Sequence, residues 1–199
     1  MPFQPGQNPN RPPAGSTIRV EPIRDRAATK RIKKLLRDQP RDLCLFTLGI
    51  NTAFRANELL SIKVGQVRSL GVGDVLAVKQ SKTDKYRQVT LNKTVVAAVE
   101  GWLTNTDLGD SEFLFKSQRG VLTVPTVSTM VKTWYRHVGL KGSYSSHTLR
   151  KTWGYWQRLE WGTAVPLLME AFGHTTQQRP LAYLGIQSEE IAQIYDLEL

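Results

Sequence analysis

The chain has 199 residues, 40% of them hydrophobic, which is enough for one ordinary domain with its own core. It carries 27 Lys and Arg against 17 Asp and Glu, a formal net charge of +10, so its natural partners are polyanions. One cysteine, Cys44, excludes an internal disulfide and a cysteine-built metal cluster, and no apolar run approaches the roughly 18 to 20 residues that span a bilayer.

Residues 1–18 are rich in Pro, Gly, Asn and Gln and lack apolar periodicity, so they read as a flexible arm rather than a signal peptide, ahead of one domain over 19–199. A cytoplasmic protein is expected. Over 25–37 the spacing predicts a helix with Ile32, Leu35 and Leu36 on one face and Lys30, Arg31, Lys33, Lys34 and Arg37 largely around the other, a basic surface suited to a phosphate backbone. Pro40 ends it, and a helix over 41–53, apolar around most of its circumference, is expected to be central to the core, with Cys44 as a small core residue. A short helix follows over 56–61.

The period then changes to that of strands. Segments 75–79 and 86–91 flank the polar stretch 81–85 and predict a β-hairpin with a basic tip, where Lys85 and Arg87 join the basic residues suited to a phosphate backbone. Further helices are predicted over 93–104, 125–138, 146–160, 164–172, 177–184 and 188–197. The fold class is mainly α with a small antiparallel β-sheet. The charge is uneven: residues 185–199 hold Glu189, Glu190, Asp196 and Glu198 and no base, which leaves +14 on residues 1–184.

Taken singly, the polar residues of these segments have ordinary readings. Arg55 on its own reads first as an ion pair with Glu58 three residues on; His147 and Arg150 share a helix face by their i, i+3 spacing. His174 follows a helix stop, and Tyr183 would ordinarily fill core. Their order is what informs. An arginine in an RxxEL box (Arg55 to Leu59), a lysine on a hairpin (Lys82), HxLR (His147 to Arg150), GH (Gly173, His174) and a tyrosine nine residues beyond that histidine (Tyr183) together resemble the tyrosine recombinase, or phage integrase, family.

The resemblance covers roughly residues 25–199 and implies a catalytic domain that breaks and rejoins DNA through a 3′-phosphotyrosyl bond. It implies that Tyr183 is the nucleophile, that Arg55, Arg150 and His174 hold the nonbridging oxygens of the scissile phosphate, that His147 is the general base and that Lys82 protonates the leaving 5′ oxygen. Lys79 and Lys85 compete for the last role, and Tyr195 is a competing tyrosine. Glu58 is expected to support Arg55. No metal and no cofactor are needed. The Trp residues, Trp153 and Trp156 included, are read as core filling.

The resemblance further implies double-stranded DNA as partner, a monomer when free, a ring of four on DNA joined by exchange of a C-terminal helix over 188–197, and accessory DNA-bending proteins as compatible partners. Relatives commonly carry an additional N-terminal helical domain, for which this chain has only a short tail. Two alternatives stay open: a cleavage-inactive DNA-binding regulator or fragment of the same fold, and a DNA-relaxing enzyme of the type IB topoisomerase kind.

Overall fold

A computed structural model describes residues 20–80, 86–118 and 120–173. The helices expected over 177–184 and 188–197, the arm over 1–18 and the hairpin tip lie outside the described residues. Among those described, seven α-helices and two small antiparallel sheets make a mainly α domain, as expected. No helix among them is long and apolar enough to cross a membrane.

Helix α1 (Arg26–Leu35) begins at Asp25, whose carboxylate accepts from the Ala27 and Ala28 amides at 2.7 and 3.1 Å. It buries Ala28 and Ile32, with Leu36 just beyond its end, an i, i+4, i+8 stripe. Leu35, predicted to share the buried face, is 37% exposed, because it lies one residue off that stripe. Helix α2 (Pro40–Asn51) starts on Pro40 itself: the residue expected only to close the preceding helix also opens this one, where its missing N–H is harmless. Seven of its residues are buried, Cys44 among them, and α4 (Lys93–Leu103) and α6 (Ser146–Trp161) both pack against it.

The helix predicted to reach residue 53 stops two residues sooner. Thr52 turns its hydroxyl onto the Leu48 carbonyl at 2.8 Å, and Ala53 takes a left-handed conformation with φ of 54°. The short helix α3 (Ala56–Leu60) follows. Strands β1 (Val75–Lys79) and β2 (Tyr86–Thr90) form the predicted hairpin, with Leu76 opposite Val89 and Val78 opposite Arg87. A second two-stranded sheet, β3 (Lys116–Ser117) with β4 (Gly120–Val121), had no counterpart in the sequence reading, since two-residue strands carry no measurable period.

Helix α5 (Val124–His137) places Val127, Val131, Trp134 and Tyr135 in the core. Helix α6 is capped by the Ser145 hydroxyl and laced to the start of the described chain. The Ile23 amide donates to the Thr152 hydroxyl at 2.9 Å, Lys151 Nζ donates to the Val20 carbonyl at 2.7 Å, and Arg26 pairs with Glu160. Helix α7 (Val165–Phe172) packs Leu168 and Phe172 against Ala53 and Trp153, and it ends at Gly173 with φ of 58°. Of the tryptophans, Trp134 is core and Trp153 is half-buried, while Trp161 is 78% exposed and fills no core.

Candidate active site

The turn between α2 and α3, strand β2, the first two turns of α6 and the last turn of α7 meet in one cluster built around a carboxylate. Glu58, third in α3 and 2% exposed, accepts from the Arg55 amide at 2.6 Å with Oε2 and from Arg55 Nη1 at 3.0 Å with Oε1. That reciprocal contact starts α3 and orients the Arg55 side chain at once. Oε2 also accepts from Arg87 Nη1 at 3.0 Å and lies 4.0 Å from Arg150 Nη1. Among the described residues, three guanidiniums therefore face a single acid, an excess of two positive charges.

Backbone carbonyls compensate part of that excess. The Ala53 carbonyl accepts from Arg87 Nη1 at 3.1 Å and from Arg150 Nη1 as well. Its left-handed turn, a conformation that costs a non-glycine residue about 1–2 kcal/mol, is what aims this oxygen inward. At the other side, the last carbonyls of α7 take the second arm of each inner arginine: Ala171 accepts from Arg87 Nη2 and Phe172 from Arg150 Nη2. Carbonyls in the last turn of a helix lack intrahelical donors and sit at the negative end of its dipole, so cations belong there. Each inner guanidinium also lies over an aromatic ring, Arg150 over Phe172 at 4.7 Å and Arg87 over Phe54 at 5.4 Å.

Exposure separates the three. Arg55 retains 30% of its side-chain surface, whereas Arg150 is fully buried and Arg87 nearly so. Burial pulls the Arg87 pKa below its ordinary value, opposed chiefly by Glu58. His147 stands on the first turn of α6, one helical turn before Arg150, with its surface exposed. Its pKa is held below the usual imidazole value, first by partial desolvation among its neighbours, then by the cations Arg150, Lys151 and Arg55.

Of the sequence-predicted residues, the structure brings Arg55, Glu58, His147 and Arg150 together. Lys82, Lys85, His174 and Tyr183 lie outside the described residues; the chain leaves α7 through Gly173 directly before His174. The basic face of α1 is not part of the cluster. Lys30, Arg31, Lys34 and Arg37 are exposed, and Lys33, Lys34 and Arg37 line a groove with Leu43, Thr47 and Ala97. Burial lowers the Lys33 pKa. These residues flank the N-terminal half of α2, whose 12 residues put its start about 16 Å from the end that leads to Arg55.

Arg87 requires a correction. It was expected on the DNA-facing surface with Lys85, yet its side chain is 9% exposed and spent on Glu58 and two carbonyls. The signal was present in the sequence: Arg87 is in phase with Val89, hence on the apolar face of the hairpin with Leu76 and Val78. The acceptor roles of Ala53, Ala171 and Phe172 were not foreseeable, since main-chain oxygens carry no side-chain signature.

The description "phage integrase family" fits residues 20–190. The probable integrase/recombinase YoeC of Bacillus subtilis is 28% identical over 181 residues, 88% of this chain and 95% of that protein. The tyrosine recombinase XerC of Caldanaerobacter subterraneus is 28% identical over 169 residues, 80% of this chain but only 46% of that protein, so the chain spans about half of that relative. A solved structure of the XerH site-specific recombinase, bound to palindromic difH substrate in a post-cleavage complex, matches with a TM-score of 0.70 at 20% identity, over 94% of this chain and 55% of that one. With a family match running from residue 20 to residue 190, the chain belongs to the phage integrase family.

Proposed function

We propose that this chain is the catalytic domain of a site-specific DNA recombinase, cleaving and rejoining strands through a 3′-phosphotyrosyl intermediate. The observation that carries the reading is the excess of two positive charges where Arg55, Arg87 and Arg150 meet Glu58. A buried cationic surplus, fixed by carbonyl dipoles, is a preformed complement to the charge that builds on a phosphodiester under attack. Arg150 is fully buried, so a phosphate meets it only once the atoms covering it have moved.

In this reading Arg55, Arg150 and His174 hold the nonbridging oxygens while the Tyr183 oxygen attacks phosphorus. The phenol, with a reference pKa of about 10, gives its proton to His147, which is neutral near pH 7 because its pKa is depressed. The bond to the 5′ oxygen breaks, and Lys82 supplies the proton that leaves with the 5′ hydroxyl. The linkage keeps the phosphodiester's energy, so a 5′ hydroxyl from a partner strand reverses the step without nucleotide or metal. Double-stranded DNA is the substrate. Exchange of residues 188–197 between subunits assembles four copies on it, and the basic face of α1 with Lys85 adds phosphate contacts.

The test is incubation with a nicked duplex bearing a site enriched from a random pool by the unmutated protein, followed by denaturing electrophoresis. A covalent adduct is expected, absent in Tyr183→Phe and in Arg150→Ala, while Arg150→Ala keeps much of its salt-dependent binding. Binding with no adduct refutes the enzyme reading in favour of a regulator. Relaxation of supercoils without site preference refutes the recombinase in favour of a topoisomerase.

A further inference from the structure

Arg87 is the one guanidinium of the cluster that the proposed chemistry leaves without a task. It touches more of the site's framework than any single phosphate ligand would require. From strand β2 it reaches Glu58 in α3, the Ala53 carbonyl in the turn after α2, and the Ala171 carbonyl at the end of α7. Two of these partners are shared with Arg150, and the third is adjacent to one of its own. Both arginines donate Nη1 to Ala53 and face Glu58 Oε2, and their Nη2 atoms take consecutive carbonyls, Ala171 and Phe172.

We infer that Arg87 is a positioning residue for Arg150, a buried fork that fixes the acceptors against which the phosphate-binding guanidinium is held. The inference rests on the recombinase reading given above. The physical case is one of geometry. The Ala53 carbonyl reaches the cluster through a left-handed turn and the α7 carbonyls through the end of that helix; both need an anchor besides Arg150. A planar fork of fixed donors supplies it, whereas a lysine ammonium, a single point on a flexible stem, does not.

Close packing supports the same assignment. At Gly173, the residue after α7, an added Cβ would lie 3.2 Å from Nε2 of Gln80, the residue that follows β1, and 4.0 Å from Arg87 Cδ. The end of α7 is thus seated on the hairpin as well as on its arginine. Sliding the Ala171 carbonyl away moves the Phe172 carbonyl with it, since the two belong to one turn, and Arg150 loses its second support.

The experiment compares two nicked duplexes carrying the same enriched site, one with the natural scissile phosphate and one with a methylphosphonate there. The methylphosphonate develops less negative charge, so it depends less on Arg150. Arg150→Ala, Arg87→Met and Arg87→Lys are each measured for adduct rate on both duplexes and for cooperative melting. If Arg87 acts through Arg150, both Arg87 variants melt cooperatively and lose about 10²-fold in rate on phosphate, on the scale of one lost oxyanion donor, with a clearly smaller loss on methylphosphonate. Equal losses on the two substrates overturn the inference in favour of a general structural role, as does failure of both variants to melt cooperatively. Wild-type rates in either variant overturn it outright. If the unmutated protein forms no adduct with phosphate, it is the recombinase reading that has failed.

Discussion

Gly49 sets how closely the helix leading to Arg55 approaches the helix carrying His147 and Arg150. A Cβ built there would lie 2.6 Å from Leu149 Cδ1 and 2.9 Å from Leu149 Cβ. The methyl can swing away, but Leu149 Cβ is fixed to the α6 backbone, so restoring ordinary contact at 3.4 Å separates the helices by about 0.5 Å. Gly49→Ala recovers up to about 1 kcal/mol of helix propensity. Against this stands overpacking of about 1–3 kcal/mol. The net loss of about 0–2 kcal/mol corresponds to a melting shift of at most about 8 °C for a domain of this size. Catalysis is the more sensitive readout, because Arg150 follows Leu149 directly, and a misplacement of about 1 Å costs on the order of 10²-fold. Adduct formation on the nicked duplex is therefore expected to fall by about tenfold or more while the variant remains folded. Should Gly49→Ala melt at or above the wild-type temperature and cleave at the wild-type rate, the α2–α6 gap does not govern the site.

Glu58→Gln removes an acid, itself 2% exposed, that among the described residues alone faces the three guanidiniums, and an uncompensated buried charge costs about 3–5 kcal/mol. Urea unfolding measures it, and a loss below about 1 kcal/mol would contradict the hub described above. His147 sets a pH dependence. Its folded pKa lies below the unfolded value of about 6.5, so its contribution to stability is complete above that pH and drains away as the pH falls through it towards the folded pKa. His147→Gln is expected to melt with a shallower pH dependence between about pH 7 and 5, and parallel curves for the two proteins would remove the depressed pKa. The adduct rate of the unmutated protein is expected to hold its plateau to below about pH 6.5. An acid limb centred at or above that value would show an unperturbed base.

The positions of the described helices were legible because their signals are periodic. The buried stripe of α1 and the strands of the hairpin repeat at 3.6 and 2 residues, and the structure places them within two residues of expectation. The grouping of Arg55, Glu58, His147 and Arg150 was legible from their order along the chain. What was not legible is non-periodic. The two-residue strands at Lys116 and Gly120, the left-handed Ala53 and the carbonyls that accept from Arg87 and Arg150 are decided by tertiary contacts. Arg87 failed for a different reason. A cation beside a basic tip suggested DNA, and that association outweighed the strand phase that put it inside.

The inner arginines raise a question of cost that the site itself answers. Burying a guanidinium beside like charges is unfavourable unless each donor is met, and one carboxylate cannot meet three. Ala53, Ala171 and Phe172 contribute fixed dipoles in place of further acids. That choice matters for chemistry. A second carboxylate would halve the cluster's excess positive charge and repel a phosphate, whereas carbonyl oxygens satisfy hydrogen bonds while leaving that charge in place. The left-handed turn at Ala53 and the termination of α7 at Gly173 are then parts of one device, each presenting backbone oxygens to cations that remain electrostatically unspent until an anion arrives.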